Sequence, residues 1–256
     1  MLYLLICVVS FLGSGLTLFS GFGLGTLLLP TFALFFPIDV SVALTAVVHL
    51  LNNLFKLSLL GKHADWHIAL RFGVPAVLAA VVGAWLLGQL SGVLPIVSYT
   101  FCSKSFVVTP VKLTIGALLF IFALFELMPR LSRLQFSPQY LSLGGVLSGF
   151  FGGLSGNQGA LRTAFLARAG LSKEAFIATG VVIACLTDIS RLSIYASNWQ
   201  KTGASVHGTL LAVATLSAFA GAYIGSRLLQ KVTIQVVQYT VAAMLLIFAL
   251  CLMLGF

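Results

Sequence analysis

Residues whose types and spacing could do chemistry gather on two stretches of this chain. His49, Asn52, Asn53 and Lys56 are spaced to share one face of a helix. Thr187, Asp188 and Arg191 repeat the pattern later, with Thr179 further up the same stretch. All lie in apolar sequence, where a charged side chain is expensive and faces a partner or a wet cavity. Asp188 and Arg191 have the spacing of an intrahelical ion pair. Asp188 and His49 are also the groups able to carry a coupling proton. Lys56 and Arg191 offer positive charge to an anion, although each lies about one turn from the end of its apolar stretch, where a long side chain can also reach water.

Two glycine-rich interruptions add a second kind of chemistry. Ser20-Gly21-Phe22-Gly23-Leu24-Gly25 breaks the first apolar stretch, and Gly152-Gly153-Leu154-Ser155-Gly156-Asn157-Gln158-Gly159 breaks the fifth. Glycine is a poor helix former, and non-helical backbone at membrane depth is tolerated only where it is buried in protein or lines a cavity. A helix restarting after each break exposes free N–H groups and about half a positive charge, a ready anion site. Ser20, Ser155, Asn157 and Gln158 are neutral donors beside it. Arg162, one turn into the second restart, could bind an anion directly, whereas its counterpart in the first is Leu27. Gly145, Gly149 and Gly153 have the spacing of a helix-packing stripe instead.

Other signals are weaker. Gly153-Leu154-Ser155-Gly156 with His207 resembles the serine–histidine dyad of a rhomboid-type intramembrane protease. Ser20-Gly21 repeats the serine–glycine pair with no matching histidine, so architecture explains Ser155 better. There is no HExxH and no nucleotide-binding loop. His63, Asp65 and His67 flank Trp66 in a polar connection that reads as an interfacial loop, and Trp66, Tyr195 and Trp199 fit an aromatic belt. Glu126 reads as solvated or paired with Arg130. Cys7, Cys102, Cys185 and Cys251 are far apart, so neither a disulfide framework nor a metal site is expected; no cofactor is expected either.

The elements that must position these residues follow from composition. Of 256 residues 60% are hydrophobic and 7% charged, with a net charge of +9. A soluble domain carries roughly 25% charge, so this chain belongs in lipid; a cytosolic enzyme, a disordered chain and a nucleic-acid binder are excluded. Basic residues sit singly between apolar blocks, as in positive-inside loops. The opening MLYLLICVVSFLG has no basic residue before its apolar run and reads as a membrane helix rather than a cleaved leader. Eight apolar blocks run roughly over 2–36, 40–60, 68–90, 106–128, 140–170, 174–195, 204–229 and 232–255.

Sliding the chain by about 135 residues aligns Ser20-Gly21 with Ser155-Gly156, Asn53 with Asp188, Lys56 with Arg191 and Leu57-Ser58 with Leu192-Ser193. Nearby offsets align Trp66 with Trp199 and Gly83-Ala84-Trp85 with Gly221-Ala222-Tyr223. The reading is an internal duplication: a first membrane repeat over 1–128, a connecting loop over 129–138 and a second repeat over 139–256. The fold class is all-α polytopic, about eight transmembrane helices in two repeats of four, the first helix of each broken. If each broken element is a re-entrant hairpin the repeats are inverted; if it crosses once they are parallel. The length of the first block favours the hairpin.

The Ser-Gly-Phe-Gly-Leu-Gly break followed by Pro30, its duplicate at 155–159 and the Asp65-Trp66 loop resemble the TauE/SafE sulfite exporter family, also called the 4-toluene sulfonate uptake permease family. The resemblance spans essentially the whole chain and rests on glycines, tryptophans and span order. Phe22 and Leu24 stand where the family's first break is richer in glycine, and the second copy carries Asn157-Gln158. The resemblance implies a multi-pass protein of the plasma membrane, bacterial inner-membrane type, that moves small sulfur-containing anions such as sulfite or organosulfonates. The expected site is then Ser20, Gly21, Phe22, Gly23, Gly25, Asn53, Lys56, Ser155, Gly156, Asn157, Gln158, Gly159, Arg162 and Arg191, with Asp188 and His49 for coupling. The expected partners are that anion and the lipid bilayer, with no nucleic acid and with room for a homo-oligomer. A membrane assembly factor without transport is the alternative.

Overall fold

The computed structural model describes residues 2–20, 23–101, 103–128, 134–202, 208–228 and 234–256; the side chains of 17–20, 198–202, 226–228 and 234–238 lie outside that description. Gly21, Phe22, Cys102, Arg130, Arg133 and His207, with the side chains of Ser20 and Trp199, therefore fall outside it.

Ten α-helices form the described chain: α1 (Leu2–Ser20), α2 (Gly25–Ala33), α3 (Ile38–Leu60), α4 (Trp66–Ser91), α5 (Pro110–Leu127), α6 (Leu141–Ser155), α7 (Gly159–Leu166), α8 (Lys173–Thr202), α9 (Gly208–Leu228) and α10 (Ile234–Met253). Local chemistry sets their ends. Asp65 caps α4 by accepting from the Ile68 N–H at 3.0 Å. Thr109 caps α5 ahead of Pro110, which lacks the N–H that a first turn leaves unpaired. Gly156 closes α6 in a left-handed conformation, φ +78, which glycine adopts without steric cost.

Among the described residues, five helices are long and apolar enough to cross a membrane: α3 with its following turn, α4, α5, α8 and α9. Leu78, Leu216 and Ile247 are about two-thirds exposed, the inverse of a water-facing surface and the pattern of one facing lipid. The protein is a mostly helical, multi-pass membrane protein.

Strands interrupt the all-α expectation. β1 (Val97–Phe101) and β2 (Lys104–Val108) pair antiparallel, Tyr99 opposite Phe106. Alternating Val97, Tyr99, Phe101 and Phe106, Val108 give a period of two, which the apolar-block reading passed over. The hairpin docks on the end of α10: the Val107 N–H donates to Gly255 O at 3.2 Å, and Lys112 Nζ donates to Gly255 O at 2.8 Å.

Both broken elements turn back on themselves. Along α6 and α7, the Ser148 hydroxyl donates to Gln158 O at 3.0 Å, and side chains added at Gly152 and Gly144 would strike Gln158 and Phe165. Residues later in α7 thus meet residues earlier in α6. Along α1 and α2, Gly13 faces Leu24 and Leu27, which a straight continuation would hold ~16 Å and ~21 Å away.

The remaining packing exchanges partners between the two halves of the chain. α4 packs on α6 and α9 on α1, while α3 packs on α8 and α5 on α10. The α4–α6 crossing is parallel and tight: Cβ atoms on Gly145, Gly149 and Gly153 would lie 2.1–2.2 Å from the carbonyl oxygens of Phe72, Ala76 and Ala80. Gly221 meets Phe11 O the same way at 2.0 Å. The stripe of Gly145, Gly149 and Gly153 is a packing device, letting backbones approach where lipid supplies no hydrophobic drive. α3 and α8 run antiparallel, since the Asp65 N–H, just past α3, donates to Thr179 Oγ1 near the start of α8, at 2.9 Å. An apolar cavity of about 740 Å³ flanks the outer side of α7, lined by Leu118, Phe122, Leu147, Phe151, Leu161 and Phe165 among others.

Gly149→Val should disrupt the α4–α6 crossing. Overpacking of a filled interior costs about 1–3 kcal/mol or more, so the thermal midpoint in detergent should fall clearly below that of the parent protein; an unchanged midpoint would contradict the packing described.

Candidate functional site

The hairpin tips converge on the middle of α3 and α8. Gly25 and Gly156 abut: a Cβ on Gly25 would stand 3.5 Å from Gly156 O and 4.0 Å from His49 Cδ2. Gly23 faces His49 Nε2, which a Cβ there would approach to 3.1 Å, and Gly156 faces Arg191 Nη1 at 3.2 Å on the same measure. Glycine at each of these positions leaves room for a neighbouring ring, guanidinium or backbone.

Around the tips lies a buried ionic cluster. Asp188 is fully buried and joins both halves of the chain. His49 Nδ1–H donates to Asp188 Oδ2 at 2.6 Å across 139 residues of sequence. Arg191 Nε–H donates to Oδ1 at 2.9 Å, and Nη2 stands 2.7 Å from the same oxygen as an ion contact. Gln158 Nε2–H donates to Oδ1 at 3.3 Å. The Asn53 amide lies 3.1 Å from His49 Nδ1. Arg191 also donates through Nη1 to Gly152 O at 3.1 Å, placing a cation on the carbonyl end of α6 where the helix dipole is negative. Tyr195 donates its hydroxyl to Gly153 O.

The expected intrahelical pair of Asp188 and Arg191 is present, and His49 and Gln158 extend it. Arg191 does not snorkel; it is wholly buried and engaged. Tyr195 leaves the aromatic belt assigned to it: only 5% exposed, it faces α6 because its hydroxyl finds a free carbonyl there. Trp66 is 60% exposed at the start of α4. Asp65 is occupied with capping α4. Ser155 Oγ–H donates to Phe151 O in its own helix and so turns away from the break. Asn157 is buried beside the tip, and Gly159 is the first residue of α7.

Two cations stand apart from this network. Lys56 is only 6% exposed, and among the described residues neither an ion pair nor a hydrogen bond holds its ammonium. Arg162 has a buried Nη1 with no hydrogen-bond partner, and its guanidinium runs past Gly180 of α8. Lys56 and Arg162 are close enough to repel one another electrostatically, and Arg162 also feels Asp188 and His49. Asp188, the nearest carboxylate, is already shared by His49 and Arg191. Gln158 Oε1 is likewise buried and unpartnered.

Sequence spacing grouped His49, Asn53 and Lys56, and separately Asp188 with Arg191; it did not join the two groups. Gly152 O and Gly153 O as acceptors were also missed, since backbone carbonyls carry no residue type. Asn52, drawn into the same stripe, turns instead to α1 and accepts from Ser14 Oγ at 3.0 Å.

Two helical hairpins meeting at a buried ionic cluster, inside a bundle of spanning helices, define a polytopic membrane protein with its polar chemistry at mid-depth. A family model described as Sulfite exporter TauE/SafE matches residues 6–252, nearly the whole chain. The protein belongs to that family of membrane transporters. A search of curated proteins finds no match.

Breaking the cluster from one side should be costly. Asp188→Leu leaves Arg191 buried without its carboxylate and should destabilise by about 3–5 kcal/mol. Asp188→Leu with Arg191→Leu should recover part of that loss in denaturation measurements; equal damage from the single and the double change would show that the pair is not the unit of stability.

Proposed function

We propose that the protein is a secondary transporter for a small sulfur-containing oxyanion, sulfite or an organosulfonate, in a bacterial inner membrane. The observation that carries this reading is the pair of unneutralised cations, Lys56, which is buried, and Arg162, half-buried with its Nη1 buried and unpartnered. Two like charges out of water destabilise a fold unless an opposite charge joins them. An oxyanion supplies that charge and several acceptors for the ammonium and guanidinium protons. Arg162 lies in the first turn of α7, whose free N–H groups add neutral donors, and Asn53 stands one turn before Lys56 on α3. A tetrahedral or pyramidal oxyanion suits so mixed a set of donors better than a halide does.

The duplication frames the movement. The hairpin turns, the antiparallel α3–α8 pair and the partner exchange of α4–α6 with α9–α1 support two inverted repeats, each a hairpin followed by three spans. Such repeats classically place their site where broken helices meet and alternate access by rocking one bundle against the other. The direct contact of Gly25 with Gly156 corresponds to a closed state at the tips. No nucleotide-binding motif is present in the sequence, so ion gradients and the membrane potential drive the cycle. A potential of 100 mV is worth ~2.3 kcal/mol per charge and favours an anion leaving the cell. Asp188 and His49 form the coupling pair: a proton on Asp188 weakens its hold on His49 and Arg191, and with it the tie between the repeats.

Purified protein in liposomes should carry sulfite or an organosulfonate, and inertness of folded protein toward a broad anion panel removes the reading. Lys56→Gln and Arg162→Gln should each weaken anion affinity roughly tenfold or more, the scale of one lost charged contact, while inserting normally. Asp188→Asn should abolish transport driven by a pH gradient yet leave anion exchange; loss of both, or of neither, would count against the coupling role.

A further inference from the structure

The two unneutralised cations sit on one side of the protein's mid-depth. His49 and Asp188 mark the middle of α3 and α8, whereas Lys56 lies seven residues beyond His49, ~10 Å along the axis. Lys56 is one turn from the end of α3 and Arg162 one turn from the end of α7. Both ends point to one face of the bundle. That face carries the turn after α3 and the start of α8, joined by the Asp65–Thr179 hydrogen bond, and the approach to α6, joined to α7 where the Phe136 N–H donates to Ala164 O at 3.2 Å. The opposite face carries the β-hairpin and the end of α10. Toward that face Arg162 has no equivalent: its counterpart Leu27 is apolar and 7% exposed.

Among the described residues, the other basic residues favour the same face. Lys62, Arg71, Arg168 and Lys173 lie at the turn face, where α9 also ends with Arg227. The hairpin face has Lys104, Lys112 and, in the last turn of α8, Lys201. Short loops rich in Lys and Arg are retained in the cytoplasm.

We infer that the turn face is cytoplasmic, and that Lys56 with Arg162 is a loading site through which an oxyanion enters from the cytoplasm. The β-hairpin and the end of α10 then face outward. The loading role rests on the anion-transport reading above; the sidedness does not.

Two measurements separate these parts. Alkaline phosphatase fused after Phe256 should be active and green fluorescent protein fused there dark; the reverse pattern overturns the sidedness whether or not the protein transports anything. For loading, Lys56→Cys is introduced into a chain whose four native cysteines are replaced, and a membrane-impermeant thiosulfonate reagent is applied to vesicles of each orientation. The thiol should react several-fold faster in inside-out vesicles, and an organosulfonate, which does not consume the reagent as sulfite does, should slow that reaction. Faster reaction in right-side-out vesicles, no reaction from either side, or reaction from the inside that no organosulfonate slows would each overturn the loading site. Arg162→Cys repeats the measurement should Lys56→Cys fail to insert. Absence of flux in liposomes with protected labelling intact would remove the transporter and keep the site.

Discussion

A carboxylate held far from water must have its charge answered, and most of this structure is arranged around one such group. The five acidic residues are Asp39, Asp65, Glu126, Glu174 and Asp188, and four of them lie at or within a turn of a helix end. Asp188 alone is deep. It draws His49 from α3, Arg191 from its own helix and Gln158 from the second break. Arg191 then holds the carbonyl end of α6. One charge thereby fixes where α3 crosses α8 and where a hairpin tip stops. A buried network of this kind specifies one arrangement because every alternative strands a charge.

Close backbone contact supplies what charge does not. The crossings of α4 on α6 and of α1 on α9 use glycine and alanine where larger residues would hold the helices apart. In lipid, association depends on dispersion and short polar contacts rather than on expelling water. The small residues thus bring the first helix of each hairpin, α1 and α6, against a full span of the other half of the chain.

Much of this was legible in the residue order, for physical reasons that can be named. Glycine-rich breaks inside apolar stretches announce themselves, because helices avoid glycine; Gly156 indeed takes the left-handed turn. Polar residues at helical spacing in an apolar run also stand out, which is how His49, Asn53, Lys56, Asp188 and Arg191 were found. The bond between His49 and Asp188 was not legible, since spacing along one helix says nothing of the facing helix. Tyr195 was misplaced because a tyrosine near a span end fits both a membrane interface and a buried carbonyl. The β-hairpin escaped because its alternation is short and runs into the start of the apolar block over 106–128. The direction taken after each break was undecided in the sequence and needed the contacts of Gly13, Gly144 and Gly152.

The hollow beside α7 bears on the mechanics of the molecule. A half-helix of eight residues with packed protein on one flank and about 740 Å³ of mostly apolar space, with Glu126 at its edge, on the other resists displacement unequally in the two directions. Moving inward compresses a tight contact; moving outward fills a void that lipid chains or an apolar molecule would otherwise occupy. The stiffness of α7 is therefore set partly by whatever occupies that hollow, so the acyl composition of the surrounding membrane enters the energetics of the hairpin as a spring constant does.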